Sequence, residues 1–205
     1  MESLRKQSPT LTQSPRQTSS KMSLSLSTFE VISLSRSSLN ARRISYLALL
    51  SAACVVGRLS FTFLPNVQPM TAILLFLSLF LSLPEALLVM AISLVVTNLF
   101  VGFGIWTLGQ FLSYLGILLV FSALARLPLV HKHLWLQGIL AGAMGFLYGF
   151  LYSIFNYFLY GMSVFWPYWL QGLPFDALHA GGNLVFYLLL YPVFQTLFHR
   201  FFVKH

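Results

Sequence analysis

Charged residues are scarce in this chain of 205 residues, of which 8% are charged and 58% are hydrophobic. A soluble domain carries about 25% charged residues and less than half apolar ones. Only four side chains are acidic, those of Glu2, Glu30, Glu85 and Asp176, so a water-facing surface of mixed charge cannot be assembled from this sequence. An ordinary soluble protein is excluded, and an integral membrane protein is predicted.

Cysteine is almost absent as well, because Cys54 is the only one, and this excludes an internal disulfide and a cysteine-rich zinc site. The chain has no G-x-x-x-x-G-K-[ST] loop for ATP, no G-x-S-x-G elbow and no H-E-x-x-H pair. Asp176 and His179 would need a third good ligand to hold a metal, and Asn183 is a poor one. We therefore expect no enzymatic activity, no metal site and no cofactor.

The net charge of +8 does not indicate nucleic acid, because the basic residues are scattered over chain ends and loops instead of forming a stripe with interleaved aromatics. The basic group His131-Lys132-His133 is likewise interpreted as a solvated loop. Membrane topology explains the positive charge better, so the lipid bilayer is expected as a partner and nucleic acid is not.

Residues 1–43 differ from the rest in holding twelve serines and seven lysines and arginines. Such a segment buries too little apolar surface to offset the entropy of ordering it, so it is predicted to be a disordered cytosolic tail. Two alternatives remain open. One is an organellar transit peptide, against which Glu2 and Glu30 count, and the other is a mis-called start codon upstream of Met22.

Apolar stretches follow one another after Arg43. A helix rising 1.5 Å per residue needs about 20 residues to cross a hydrocarbon core of about 30 Å, and turn residues such as Pro65-Asn66 separate the stretches. The fold class is therefore predicted as all-α, a polytopic membrane domain over 44–200. Its six transmembrane helices are placed at 44–63, 67–83, 85–104, 106–126, 134–160 and 175–198.

Lysine and arginine are retained on the cytosolic side of membrane proteins. Here they flank the first span, lie between spans four and five, and follow span six, whereas the alternate loops hold none. We therefore expect both termini to be cytosolic, in a multi-pass protein of the cell membrane. The residues concerned are Arg42, Arg43, Arg126, Lys132, Arg200 and Lys204.

Charged groups inside a bilayer are costly, and this chain has few of them. Arg58 lies toward the outer end of the first span. Asp176, His179 and Asn183 open the sixth span on one helical face, because they are spaced by three and four residues. An ion pair between Arg58 and Asp176 that joins the two helices is one interpretation. Contact of these groups with a ligand is the other, and the two are compatible.

The outward side also concentrates large aromatic residues and amides. An interfacial aromatic belt explains the aromatic residues alone, but it does not require asparagine and glutamine, whereas a small-molecule pocket combines apolar walls with a few polar groups. We therefore predict a binding pocket there. Its candidate residues, besides the four named above, are Asn66, Gln68, Trp106, Gln110, Tyr114, Asn156, Trp166, Tyr168, Trp169 and Gln171.

Small residues are aligned in two spans, which lets a neighbouring backbone approach closely. The first span carries Ala48 and Ala52 near its cytosolic end. The fifth span carries a stripe spaced by four, three and four residues, which is predicted to pack within the chain. The stripe consists of Gly138, Gly142, Gly145 and Gly149.

Together these features resemble the membrane-embedded S-components of energy-coupling factor vitamin transporters, which are importers of the ABC type. The resemblance is carried by the basic flank, the six spans, the Ala48-x-x-x-Ala52 pair and the outer segment Phe63-Leu-Pro-Asn-Val-Gln-Pro-Met-Thr-Ala72. It covers about 44–200 and omits the tail. The Asn66-Val67-Gln68-Pro69 loop and the segment from Gly172 to His179 are most similar to the cobalamin-specific members.

In that family the vitamin binds between the outward loops and helix ends, and the Ala-x-x-x-Ala face contacts a transmembrane coupling subunit that works with two ATPase subunits. The resemblance therefore implies a substrate-capture subunit for cobalamin or a related corrinoid, docking through Ala48 and Ala52. A stand-alone carrier of another vitamin or metabolite and an S-component for a different vitamin are the alternatives, and an intramembrane enzyme is a more distant one. The sequence shows neither the internal repeat nor the broken helices of a self-sufficient transporter.

Overall fold

The computed structural model describes residues 41–202, with side chains as far as residue 198. Within this range the chain is helical and has no strand, which confirms the all-α prediction. Most of the predicted tail lies outside the described residues, and its last three positions form the first turn of a helix. The seven helices are α1 (Ala41–Ser60), α2 (Met70–Phe80), α3 (Leu83–Val101), α4 (Trp106–Leu124), α5 (Pro128–Lys132), α6 (Leu134–Leu159) and α7 (Trp166–Phe202).

Five of these helices, α1, α3, α4, α6 and α7, are long and apolar enough to cross a bilayer. The shortest, α3 and α4, have 19 residues each, and about 20 residues make one crossing. Many of their large apolar side chains point away from the bundle, such as Leu49 and Phe100 at 70% and 74% exposed. A surface of this kind suits lipid tails, and the chain is a multi-pass helical membrane protein.

The second predicted span, 67–83, contains a helix of only eleven residues, α2. At 1.5 Å per residue it covers about 16 Å, roughly half of the hydrocarbon core. Every residue from Met70 to Ser78 is buried, and α1, α3, α4 and α7 all pack on it. Instead of facing lipid, α2 is the central core element of the bundle.

Residues 61–69, which link α1 to α2, are not helical, because the prolines within the segment disfavour helix in the residues before them. Two glycines make room for this segment. A Cβ on Gly57 of α1 would lie 2.6 Å from Cγ of Pro69, and one on Gly182 of α7 would lie 3.2 Å from Cγ1 of Val67. The segment is thus held against α1 and α7, and irregular backbone at membrane depth is tolerated where protein covers it or where it lines a cavity.

The glycine stripe of the fifth predicted span lies on α6 and faces α7. A Cβ on Gly145 would lie 2.5 Å from the backbone nitrogen of Ala180, and one on Gly149 would overlap the carboxylate of Asp176. Later positions on α6 therefore meet earlier positions on α7, so the two helices are antiparallel and approach closely. Packing of the stripe within the chain is confirmed.

The helices alternate in direction, so the bundle has two ends. At one end α1, α3 and α6 end, and α4 and α7 begin. We call it the cavity end, because the cavity described in the next subsection lies there. At the opposite end, Nε of Arg43 on α1 lies 2.7 Å from Oε1 of Glu85 on α3. The hydroxyl of Ser82 donates to Oε2 of Glu85 over 2.6 Å. These contacts join the beginnings of two parallel helices.

Aromatic rings fill the interior toward the opposite end. Phe76 on α2 stacks on Tyr187 of α7 with 4.1 Å between the ring centroids and on Phe194 with 4.9 Å. Phe80 stacks on Phe198 at 5.0 Å. Such pairs contribute about 0.5–1.5 kcal/mol each beyond the burial of their area. The second half of α7 and the later residues of α2 thus form an apolar core toward the opposite end.

Candidate binding site

A cavity of about 400 Å³ lies at the cavity end, between the 61–69 segment and helices α4, α6 and α7. Ligand pockets measure about 300–1,000 Å³, so this volume suits a small molecule. The wall combines three tyrosines, three amides, a serine and one carboxylate. The lining residues are Asn66, Gln110, Tyr148, Gly149, Tyr152, Ser153, Tyr168, Gln171, Gly172, Phe175 and Asp176.

Two other hollows of about 510 and 440 Å³ lie on the flanks of the bundle, one between α4 and α6 and the other between α6 and α7. Their linings are almost entirely apolar, with Leu112 and Phe158 in the first and Ile139 and Leu184 in the second. Grooves of this composition on membrane-spanning helices suit lipid tails. The polar cavity is therefore the candidate site.

Five predicted site residues line the cavity, namely Asn66, Gln110, Tyr168, Gln171 and Asp176. Asn66 adopts a φ of 61°, in the left-handed region that asparagine tolerates better than most residues. Its Nδ2 donates to the carbonyl oxygen of Phe175 over 2.9 Å. This hydrogen bond anchors the 61–69 segment to α7 at the cavity wall.

Two side chains of the cavity wall accept hydrogen bonds from residues that do not line the cavity. Nδ2 of Asn98, near the end of α3, donates to Oε1 of Gln110 over 2.8 Å. Nδ2 of Asn156 on α6 donates to the hydroxyl of Tyr168 over 3.0 Å. The predicted residue Asn156 thus lies behind the wall and positions Tyr168. Side chains held in this way lose less entropy when a ligand binds.

Asp176 lies where α7 meets Gly149 of α6. The residue is 6% exposed, and its Oδ2 is buried without a hydrogen-bond partner. The indole of Trp169, seven residues earlier on α7, interacts favourably with the carboxylate, but its Nε1 completes no hydrogen bond. An unpaired buried oxygen is costly, because it has lost its water and gained no donor.

The predicted ion pair between Arg58 and Asp176 is not formed. Nη1 of Arg58 donates to Oγ1 of Thr97 over 2.9 Å, which joins α1 to α3. In the described part of the chain, the ion pair that does form is the one between Arg43 and Glu85. The prediction was wrong because it used depth in the membrane alone, and α1 packs mainly on α3.

Two further predicted residues, His179 and Tyr114, meet behind the cavity at Thr71 of α2. Oγ1 of Thr71 lies 2.9 Å from Nε2 of His179 and 3.2 Å from the hydroxyl of Tyr114. The ring of Tyr148 packs on both, with centroid distances of 5.1 Å to His179 and 4.8 Å to Tyr114. His179 and Tyr114 therefore belong to a polar layer beneath the cavity.

Asn183 is fully buried, and neither of its amide atoms has a hydrogen-bond partner. Across residues 41–198, the buried side-chain polar atoms without a partner all belong to α7, in Trp169, Asp176, His179 and Asn183. The last three share one helical face. Native proteins leave few such atoms unpaired, and each one calls for an explanation such as bound water or a ligand. Of the three residues on this face, Asp176 lines the cavity, whereas His179 and Asn183 are not among its lining residues.

The predicted tryptophans are not among the wall residues. Trp166 and Trp169 pack edge to face at 6.0 Å, and Trp169 packs on Phe150 at 5.4 Å. Trp106 is exposed at the beginning of α4, and Gln68 is half-buried in the 61–69 segment. The aromatic residues that line the cavity are three tyrosines and Phe175.

Three wall residues on α6, Tyr148, Tyr152 and Ser153, were not predicted. Ser153 continues the line of small residues, since Gly149 and Ser153 stand four and eight positions after Gly145. Tyr148 and Tyr152 each precede one of these small residues. This line faces α7, and past the point of closest approach it borders the cavity. The helical period of the small residues was the signal that could have identified this wall.

Comparison with protein-family models, with curated proteins and with solved structures finds no match to this chain. The function of the cavity is therefore inferred from the geometry and the chemistry of its residues, together with the sequence resemblance.

Proposed function

We propose that this chain is the substrate-capture subunit, or S-component, of an energy-coupling factor vitamin importer. The observation that carries the proposal is the cavity of about 400 Å³ at one end of a helical bundle, walled by tyrosines, amides and one carboxylate. Aromatic faces with a few fixed polar groups are typical of small-molecule sites. The segment 63–72, on which much of the family resemblance depends, supplies Asn66 to this wall.

In this proposal the cavity faces outward and both termini are cytosolic. Arg43, Arg126 and Lys132 lie toward the opposite end, and the described loops of the cavity end contain no lysine or arginine, which supports this orientation. The 61–69 segment and α2 together make the second of six crossings, because α2 alone is too short. The membrane is the cell membrane, where an importer works.

The proposed docking face is formed by Ala48 and Ala52, which are both exposed on α1. Small residues four positions apart let a partner helix pack at short range. The partners in this proposal are the transmembrane coupling subunit and two ATPase subunits, because the chain has no ATP-binding loop of its own.

The vitamin we propose is cobalamin or a related corrinoid. A corrinoid is broad and carries amide side chains along its edge, and Asn66, Gln110 and Gln171 can each donate and accept hydrogen bonds to amides. The cavity is smaller than a whole corrinoid. One edge of the ligand would enter, and the remainder would cover exposed apolar side chains of the cavity end such as Phe63 and Phe175.

The volume of about 400 Å³ favours a second candidate ligand for the same function, a flat vitamin small enough to be enclosed whole. Such a ligand would stack on Tyr148, Tyr152 or Tyr168.

The second proposed crossing consists of the irregular 61–69 segment followed by the short helix α2. This arrangement favours a second candidate function, a stand-alone carrier. Self-sufficient transporters place polar sites at broken helices near the middle of the membrane. Here α2 begins at Met70, and its Thr71 contacts His179 beneath the cavity. The short helix therefore has the polar environment that such carriers show.

Affinity purification of the full chain from its native membrane separates the two functions. A capture subunit should co-purify with a transmembrane partner and ATPases, and Ala48→Trp and Ala52→Trp should abolish that complex and vitamin uptake while leaving vitamin binding intact. Ala123→Trp, at an exposed alanine of α4, is the matched control and should keep the complex. Transport by the chain alone in liposomes would contradict the capture-subunit proposal.

Calorimetry with cobalamin, cobinamide, riboflavin and thiamine identifies the ligand. Submicromolar binding of cobalamin would support the corrinoid proposal. Saturable binding of riboflavin or thiamine without cobalamin would overturn the corrinoid and support the smaller ligand.

A further inference from the structure

Asp176 differs from the other polar groups of the cavity wall in the direction of its hydrogen bonds. The amides of Asn66, Gln110 and Gln171 and the tyrosine and serine hydroxyls can each donate or accept. An ionised carboxylate only accepts. Among the wall residues, Asp176 therefore places the strictest requirement on a ligand.

Asp176 completes no hydrogen bond with a donor in the described residues, although the indole of Trp169 interacts favourably with its carboxylate. Its Oδ2 is buried and unpartnered. Arg58 donates to Thr97 instead, and His179 directs Nε2 toward Thr71 while its Nδ1 makes no hydrogen bond. Asp176 thus lines the cavity with a carboxylate whose buried oxygen lacks a hydrogen-bond donor.

Gly149 keeps the carboxylate in this place. A Cβ on Gly149 would overlap both carboxylate oxygens of Asp176, so any other residue there would displace the acid. The glycine and the acid both line the cavity. Close packing of α6 on α7 thus positions Asp176 at the wall.

We infer that Asp176 is the specificity-determining contact of this cavity, where it accepts a hydrogen bond from an N–H group of the ligand, an amide or a protonated amine. A ligand N–H would give the carboxylate a hydrogen-bond donor in place of the water that it has lost on burial. A ligand carboxylate or phosphate at the same point would face a like charge with no cation beside it. The inference rests on the proposed function and names the group of the captured vitamin that meets α7.

The test uses matched probes that differ in one group. For a corrinoid these are cobalamin and the set of its monoacids, in each of which one peripheral amide is hydrolysed to a carboxylate. For a thiamine-binding chain they are thiamine and oxythiamine, which has an oxygen in place of the amine. Dissociation constants are measured by calorimetry on the purified full chain in detergent.

The wild-type chain should bind one of the monoacids, or oxythiamine, about ten- to hundredfold more weakly than the parent vitamin, the size expected for a hydrogen bond to a charged group. Asp176→Asn removes the charge and adds a donor. The ratio of the dissociation constant of the modified vitamin to that of the parent vitamin should therefore fall about tenfold. Gly149→Ala should reduce the ratio as well, although Asp176 is still present. Ser163→Ala, in the exposed loop before α7, is the control and should keep the wild-type ratio.

Gel filtration and thermal unfolding establish whether each variant is folded. If Asp176→Asn does not fold, Gly149→Ala provides the test. A ratio that stays at the wild-type value in a folded Asp176→Asn or Gly149→Ala chain would overturn the inference and leave vitamin capture standing. Failure of the wild-type chain to bind any of these probes, or riboflavin, would overturn both the inference and vitamin capture.

Discussion

The opposite end of the bundle pairs its polar side chains, and the cavity end leaves several of them unpaired. At the opposite end Arg43 forms an ion pair with Glu85 at 2.7 Å. Gln137 on α6 accepts a hydrogen bond from the Tyr187 hydroxyl over 2.9 Å and donates to the carbonyl oxygen of His131 over 3.0 Å. Each of these side chains has its partner within the chain.

Toward the cavity end, by contrast, the inward face of α7 carries atoms without partners. They belong to Asp176, His179 and Asn183, which are at least nine-tenths buried. Proteins retain such costly arrangements mainly where function requires them. This difference between the two ends supports the proposal that the cavity end binds a ligand.

The largest expected effect is on stability, from Phe76→Ala at the opposite end. Phe76 is fully buried and stacks on Tyr187 and Phe194, and the cavity left behind should cost about 3–5 kcal/mol. Thermal or denaturant unfolding in detergent measures the loss. Phe100→Ala, at a side chain 74% exposed on α3, should cost little. Equal losses in the two variants would contradict the role of this core.

The next effect is expected from Gln137→Leu, which should lower the free energy of unfolding by about 1–3 kcal/mol. The substitution leaves the buried Tyr187 hydroxyl without its acceptor and the carbonyl oxygens of Val130 and His131 without their donor. The same unfolding experiment measures the change. Retention of full stability would show that these hydrogen bonds do not stabilise the fold. It would also weaken the contrast between the two ends of the bundle.

The matched change toward the cavity end, Asn183→Leu, should not lower the free energy of unfolding. Neither amide atom of Asn183 has a partner, and replacing an unpaired polar group by an apolar one of similar shape is neutral or stabilising. We expect stability to be unchanged or to rise by up to about 1 kcal/mol. A loss as large as that in Gln137→Leu would mean that the two ends do not differ.

The smallest effect is a coupling energy near zero between Arg58 and Asp176. Because these residues form no ion pair, Arg58→Ala and Asp176→Ala should be additive within about 0.5 kcal/mol in a double-mutant cycle. The matched cycle on Arg43 and Glu85, which are 2.7 Å apart, should give a coupling of up to about 1 kcal/mol. Strong coupling in the first cycle would restore the ion-pair interpretation.

Part of the site could be predicted from the sequence, because the helical period shows which residues share a face. Asp176, His179 and Asn183 were assigned to one face from their spacing, and that face is where the structure has its unpaired buried atoms. Asn66 was identified from the outer segment, and it lines the cavity. These predictions depend only on residues that are close in the chain.

Other parts of the site depend on which helices become neighbours. Arg58 and Asp176 lie on helices of opposite direction, and spacing along the chain does not show that α1 packs mainly on α3. The aromatic faces were expected from three tryptophans and Tyr168, and of these only Tyr168 lines the cavity. Tyr148 and Tyr152 line it as well, because the glycines on α6 bring this helix against α7.

The sequence by itself determined the class of this protein, since hydropathy and helical period are properties of contiguous residues and about 20 apolar residues suffice for a crossing. It also determined the polar face of α7. Only the tertiary structure decided that α2 is a short, buried core helix, that Arg58 binds Thr97, and that Asp176 lies unpaired against Gly149. Those outcomes depend on contacts between residues far apart in the chain, and the packing of the whole bundle selects them.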